Sequence, residues 1–167
     1  MSIRMEGEVV PRFDHVVFDY LRLVGEASAA KDDTAYLNLV ETLENILLPL
    51  AGVGERKNLI KLHEAEVKLK ELVLSESAKK LKGAVHDSIK RGIERDKKQA
   101  LHLVEMELAR IRLRLITTIL RKTNIIQFKQ GEAYSLEDKA LIAKRLFVGL
   151  NSLGFRVSEE KIMEVLE

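Results

Sequence analysis

The chain has 167 residues, a formal net charge of +2, and neither cysteine nor tryptophan. This length predicts one domain, or one domain with a small appendage, that can bury a core without covalent crosslinks. Because cysteine is absent, disulfides, thiolate metal sites and cysteine nucleophiles are excluded.

The first half of the chain shows helical periodicity from about residue 13. Apolar residues at spacings of three and four predict a helix over 13–30. The polar run 31–34 supplies capping side chains for a second helix that ends near Leu48, before Pro49. A third helix begins near Glu55. The segment 75–77 is Ser-Glu-Ser, which is compatible with either a loop or a helix cap.

The middle of the chain predicts a fourth amphipathic segment followed by a long helix. Ala78, Leu81, Val85 and Ile89 form the apolar side of the fourth segment. Gly92 or Asp96 is expected to break it. A long helix is then predicted over about 96–123.

The last third predicts a linker and two helices. Residues 125–134 lose helical periodicity and are predicted to form a linker. The capping box that starts at Ser135 opens a helix that Gly154 ends, and Ser158 caps a short final helix to Leu166. We therefore expect an all-α antiparallel bundle of six or seven helices in total, with a helical bundle over 1–124 and a C-terminal helical hairpin over 135–167.

In the segment RIRLRL at 110–115 charged and apolar residues alternate as in a β-strand. A helical wheel, however, also accounts for the positions of the apolar residues before and after this segment. On the wheel Arg112 and Glu105 lie between two apolar arcs, so this helix is predicted to have neighbours on two sides, or to form a dimer seam. Arg112 is expected to pair with Glu105 or with an acid on a neighbouring helix. The narrow polar stripe of the same wheel consists of Glu107, Arg110, Arg114, Thr117 and Arg121.

Charge is distributed unevenly along the chain. Residues 1–55 carry 4 basic and 10 acidic side chains, whereas residues 76–100 carry 8 basic and 4 acidic ones. One interpretation is that the acidic helices pack beside the basic ones, within the bundle or in a second copy. Alternatively, the basic segment 79–98 binds the DNA or RNA backbone without base stacking, because no aromatic residue interleaves it. The candidate phosphate-binding residues are Lys79, Lys80, Lys82, Lys90, Arg91, Arg95, Lys97 and Lys98, with Arg110, Arg114 and Arg121 on the polar stripe.

The histidines give weak candidates for chemistry. His63 and His102 lie near glutamates, but the order and number of residues do not match the di-iron pattern of helical bundles, so no metal site is predicted. Arg95 followed by His102 resembles the Arg-x4-6-His motif of HEPN-type helical ribonucleases. That resemblance implies a dimer in which Arg steadies phosphate charge and His moves a proton. Arg56 and His63 match the same loose pattern, so the motif is not specific.

No catalytic residues, cofactor or metal are predicted. The sequence favours a non-enzymatic assembly or adaptor protein that acts through protein–protein contacts within a nucleic-acid-handling or viral complex, as a homo-oligomer or with a protein partner. A helical nucleic-acid-binding protein and a HEPN-like ribonuclease are the alternatives. No segment is long and apolar enough to span a bilayer and no signal peptide is recognised, so we expect a cytoplasmic protein with no membrane contact. Scarce Gln and Cys with abundant Lys, Glu and Arg is typical of thermophilic proteins.

Overall fold

The computed structural model describes Arg22, residues 32–122 and residues 136–167. Regular structure within these residues is entirely helical, which confirms the all-α prediction. The α-helices are α1 (Asp33–Leu47), α2 (Val53–Gly83), α3 (Asp87–Lys122), α4 (Leu136–Ser152) and α5 (Glu159–Leu166), with a 3₁₀ turn at Leu48–Leu50. The linker predicted at 125–134 and, apart from Arg22, the helix predicted at 13–30 lie outside the described residues.

Helix α1 has the bounds that its capping residues and proline predict. The Asp32 carboxylate accepts a hydrogen bond from the Ala35 amide over 3.2 Å and so satisfies a free donor of the first turn. Pro49 cannot continue an α-helix, and the chain tightens into the 3₁₀ turn there. One face of α1 is buried, at spacings of four, three and four residues: Tyr36, Val40, Leu43 and Leu47.

Helix α2 is longer than the sequence predicts, because it continues from the third predicted segment through Ala78 and Leu81 of the fourth, whereas Val85 lies in the break and Ile89 in α3. The Ser-Glu-Ser segment lies inside the helix, and the side chain of Ser77 faces the core at 1% exposure. Packing of that face outweighs the weak helix propensity of serine. The break lies at residues 84–86 rather than at Gly92 or Asp96, both of which are inside α3.

Most residues of α3 have the burial that the helical wheel predicts. Both apolar arcs contribute buried residues, among them Val104, Met106, Leu108, Ala109, Ile111, Leu115 and Ile116. Arg112 between the arcs is also buried, at 8% exposure. The prediction that Glu107 belongs to the polar stripe is wrong, since this residue is only 4% exposed. Helix α4 packs on this side of α3 and contributes an arginine that contacts Glu107.

Helices α4 and α5 pack against each other through a tight connection. The Leu150 carbonyl accepts a hydrogen bond from the Phe155 amide over 2.8 Å, and Gly154 adopts a positive φ of 90° that favours glycine. The Ser158 hydroxyl then accepts from the Lys161 amide and caps α5, as predicted. Phe155 in this connection is completely buried.

The described residues belong to two compact units. One contains residues 32–57 and 112–122, with the buried face of α1 as part of its core. The other contains residues 58–111 and 136–167. In the second unit α4 approaches α3 closely at Gly149, where an added Cβ would overlap Leu103 Cδ2.

Candidate functional site

Arg112 forms a buried ion pair in the first unit. Its Nη1 lies 3.2 Å from Oε1 of Glu44 on α1, and the two side chains are 9% and 12% exposed. The pair therefore follows the second expected arrangement, an acid on a neighbouring helix, and not the pairing with Glu105. Since both charges lie away from solvent, Arg112 has a structural role and is not a surface cation.

A second buried carboxylate lies in the other unit. Glu107 is hydrogen-bonded by Arg110 one turn further along α3, and its Oε2 lies 3.6 Å from Nη1 of Arg145 on α4. The glutamate side chain is 6% exposed, whereas the arginine side chains are 40% and 50% exposed. Arg110, a candidate phosphate-binding residue, is therefore engaged with a buried acid.

Lys70 on α2 connects two carboxylates. Its Nζ lies 3.0 Å from both Glu66 Oε2 and Glu105 Oε2. Burial alone would lower the pKa of the Lys70 ammonium group, but hydrogen bonds to Glu105 and Glu66, with the attraction of both carboxylates, raise its pKa above the ordinary value. Glu105 thus pairs with α2, which explains why Arg112 has another partner.

The solvent face of α2 carries an apolar stripe that is not among the features predicted from the sequence. Ile60, Val67 and Leu74 are spaced by seven residues and are 56%, 58% and 44% exposed. A separate set of residues on α2 forms the buried face, including Leu59, Leu62, Leu69 and Val73. The heptad spacing of these three residues, hereafter the α2 stripe, is visible in the sequence and is the signal that could have found it.

Helix α4 has a shorter arrangement of the same kind. Leu141 and Val148 are also seven residues apart and are 52% and 58% exposed. Isolated apolar residues on a surface are ordinary, but repetition at heptad spacing is typical of helices that pair with another helix. Two helices of the second unit therefore each present apolar side chains to solvent.

The candidate basic residues differ in exposure and in partners. Four of those between 79 and 98 have intramolecular partners: Lys80 Nζ lies 4.1 Å from the Phe155 ring centroid, Lys97 is 2.9 Å from Glu94, Lys79 is 3.9 Å from Glu76, and Arg95 is 3.9 Å from Asp96. Arg114 is exposed, and the side chain of Arg121 lies outside those described. Lys82 and Lys90 are exposed at either side of the α2–α3 connection.

Three of the candidates share one face of α3. Arg91, Arg95 and Lys98 follow a spacing of four and three residues, and each is exposed. The Arg95 side chain is 71% exposed, with Nε 3.9 Å from Asp96. We call these three residues the basic stripe.

The pair that resembles the ribonuclease motif lies on this helix. Arg95 and His102 are seven residues apart and therefore point to the same side, about 10.5 Å apart along the axis. His102 Nδ1 lies 3.9 Å from Glu105 Oε1. Within the described residues no group of three His, Cys, Asp or Glu side chains is arranged to hold a metal ion.

Comparison with known proteins gives no relative. The chain matches no protein-family model, no curated protein and no solved structure. None of the described helices is both long enough and apolar enough to cross a membrane. Functional interpretation of this chain therefore depends on its own surfaces.

Proposed function

We propose that this protein is a non-enzymatic assembly protein that acts through protein–protein contacts, and that the α2 stripe is the contact surface. The single observation that supports the proposal is the heptad spacing of three exposed branched apolar side chains on one helix face. Each of them is about half exposed, although a fully buried Leu, Ile or Val side chain gains about 1.5–3 kcal/mol. Covering the stripe with another helix recovers part of that free energy.

The charges beside the stripe favour a second copy of the chain as its partner. At about 100° per residue, Glu64 and Glu71 flank the stripe on one side by about 40–60°, and His63 and Lys70 flank it on the other side by a similar angle. A two-fold axis parallel to α2 brings opposite flanks together, whereas a perpendicular axis brings like flanks together. A parallel pair therefore places Glu71 beside the flank of the second copy that carries His63 and Lys70, where Lys70 also contacts Glu66 and Glu105 of its own chain. An antiparallel pair places glutamates together.

The oligomeric state tests this proposal. We expect light scattering coupled to size exclusion to show a dimer for the natural chain and a monomer after Ile60→Gln, Val67→Gln and Leu74→Gln are combined. The matched control, Leu141→Gln with Val148→Gln, removes the exposed apolar residues of α4 and should leave the dimer intact. A monomeric natural chain, or a dimer that survives the triple substitution, would refute the proposal.

The absence of cysteine allows the orientation to be measured directly. A parallel dimer with like residues opposite should form a disulfide under mild oxidation in each of the separate variants Ile60→Cys, Val67→Cys and Leu74→Cys. An antiparallel dimer centred on Val67 should crosslink only in the Val67→Cys variant, and would overturn the parallel arrangement.

The proposal extends to the finer organisation of the chain. The helix predicted at 13–30 brings the five described α-helices to six, in an antiparallel bundle with a C-terminal hairpin. The proposed location is the cytoplasm, where a cysteine-free chain needs no oxidising compartment. A thermophilic source agrees with the Lys, Glu and Arg content.

A further inference from the structure

The basic stripe on α3 is a surface whose charge the fold does not use. At about 100° per residue, Arg91, Arg95 and Lys98 lie within about 60° of one another around the helix. The rise of about 1.5 Å per residue spreads them over about 10.5 Å. They therefore form a straight line of three cations on one exposed face.

Neither ion pairing nor apolar packing accounts for this face. Arg91 and Lys98 form no ion pair within the described part of the chain, and Arg95 has only the 3.9 Å contact with its neighbour Asp96. The nearby acid Glu94 is 2.9 Å from Lys97. The other exposed residues on the same side are polar or acidic, namely Asp87, Ser88 and Gln99. Besides the three cations this side carries Asp87 and Glu94, and the 44% exposed Glu94 side chain is paired with Lys97, so the face keeps net positive charge and has no exposed apolar side chain.

We propose that the basic stripe binds the phosphate backbone of a nucleic-acid duplex. Its length of about 10.5 Å equals about three phosphate-to-phosphate steps of one strand, each about 3.4 Å along the duplex axis. The face has no aromatic side chain for base stacking, which disfavours single strands. The face itself has no apolar side chain that could insert into an anionic membrane, and the exposed Val85 just before α3 and Ile89 in its first turn lie off it. The contact is therefore to the backbone, and it does not depend on base sequence.

Salt dependence gives the expected magnitude. Each neutralised phosphate of B-DNA contributes about −0.9 to the slope of log K against log salt concentration. Three contacts give a slope of about −2.7, so affinity should fall at least about 40-fold between about 50 and 200 mM salt. Combining Arg91→Gln, Arg95→Gln and Lys98→Gln should make the slope shallower by about 2.7.

The experiment is fluorescence anisotropy of the full chain with a mixed-sequence DNA duplex of about 20 base pairs across this salt range. The matched control combines Lys61→Gln, Lys68→Gln and Lys144→Gln, which removes the same charge from exposed positions elsewhere in the second unit. We expect the control to keep the natural slope. An equal decrease of the salt slope in the stripe variant and in the control variant would show that only net charge matters, and would overturn the proposal. So would a chain that binds no duplex, or one that binds only phosphatidylserine vesicles in a parallel sedimentation assay.

Discussion

The ion pair between Glu44 and Arg112 yields a stability prediction whose size follows from burial. Glu44→Leu removes the carboxylate that lies 3.2 Å from Arg112, so a guanidinium at 9% side-chain exposure loses this ion-pair partner. A buried charge that loses its partner costs about 3–5 kcal/mol, whereas an exposed pair contributes about 0–1 kcal/mol. Since both side chains are nearly covered, we expect Glu44→Leu to lower the free energy of unfolding by about 3 kcal/mol or more.

Replacing both Glu44 and Arg112 with apolar residues gives a second test of the buried ion pair. The combination of Glu44→Leu with Arg112→Met fills the site with apolar side chains of similar size, and such replacements are often neutral or stabilising. We expect the double variant to be more stable than the single variant by at least about 2 kcal/mol, a strongly non-additive result. Urea unfolding monitored by circular dichroism measures both. A destabilisation below about 1 kcal/mol in the single variant, or additive effects, would refute the assignment of a buried pair.

Three further substitutions test contacts of the second unit. Because the folded-state pKa of Lys70 is raised, its stabilising contribution is complete below the unfolded pKa and is lost as pH rises through the folded pKa. The difference in free energy of unfolding between the natural chain and Lys70→Met should therefore shrink at alkaline pH. A difference that does not depend on pH would contradict this prediction. Gly149→Ala should lower stability by about 1–3 kcal/mol through overlap with Leu103, and Leu103→Ala should remove most of that additional destabilisation in thermal unfolding. Gly154→Ala should cost about 1–2 kcal/mol in urea unfolding because φ is +90°; an unchanged midpoint would argue against the left-handed turn.

The helical content and several helix bounds could be predicted because they depend on local chemistry. Asp32, Pro49 and Ser158 act through their own side chains or rings within a few residues, so the sequence shows their effect directly. The α2–α3 boundary could not be predicted in the same way. Ser77 looks like a loop residue in isolation, and only the packing of its helix face keeps that segment helical.

The cross-helix ion-pair partners of the charged residues could not be predicted, because they lie far away in the sequence. The wheel correctly predicts that Arg112 lies between two apolar faces, but its partner Glu44 is 68 residues away. The α2 stripe shows a related limit. Leu59 and Ile60 are adjacent and equally apolar, yet the first is 2% exposed and the second 56%. Periodicity identifies two apolar faces of α2, and tertiary structure decides which one remains in solvent.

The buried carboxylate of Glu107 has a consequence for how α4 is placed along α3. Apolar contacts are non-directional, so they distinguish one axial position of two helices from another only through the fit of side-chain shapes. A carboxylate at 6% exposure, whose Oε2 lies 3.6 Å from Arg145, adds a contact between opposite charges that depends on axial position. Displacing α4 by one turn, about 5.4 Å, would separate the two charges and leave the acid covered without its cross-helix partner. The ion pair of Glu107 with Arg145 thus favours one axial register of α4 along α3.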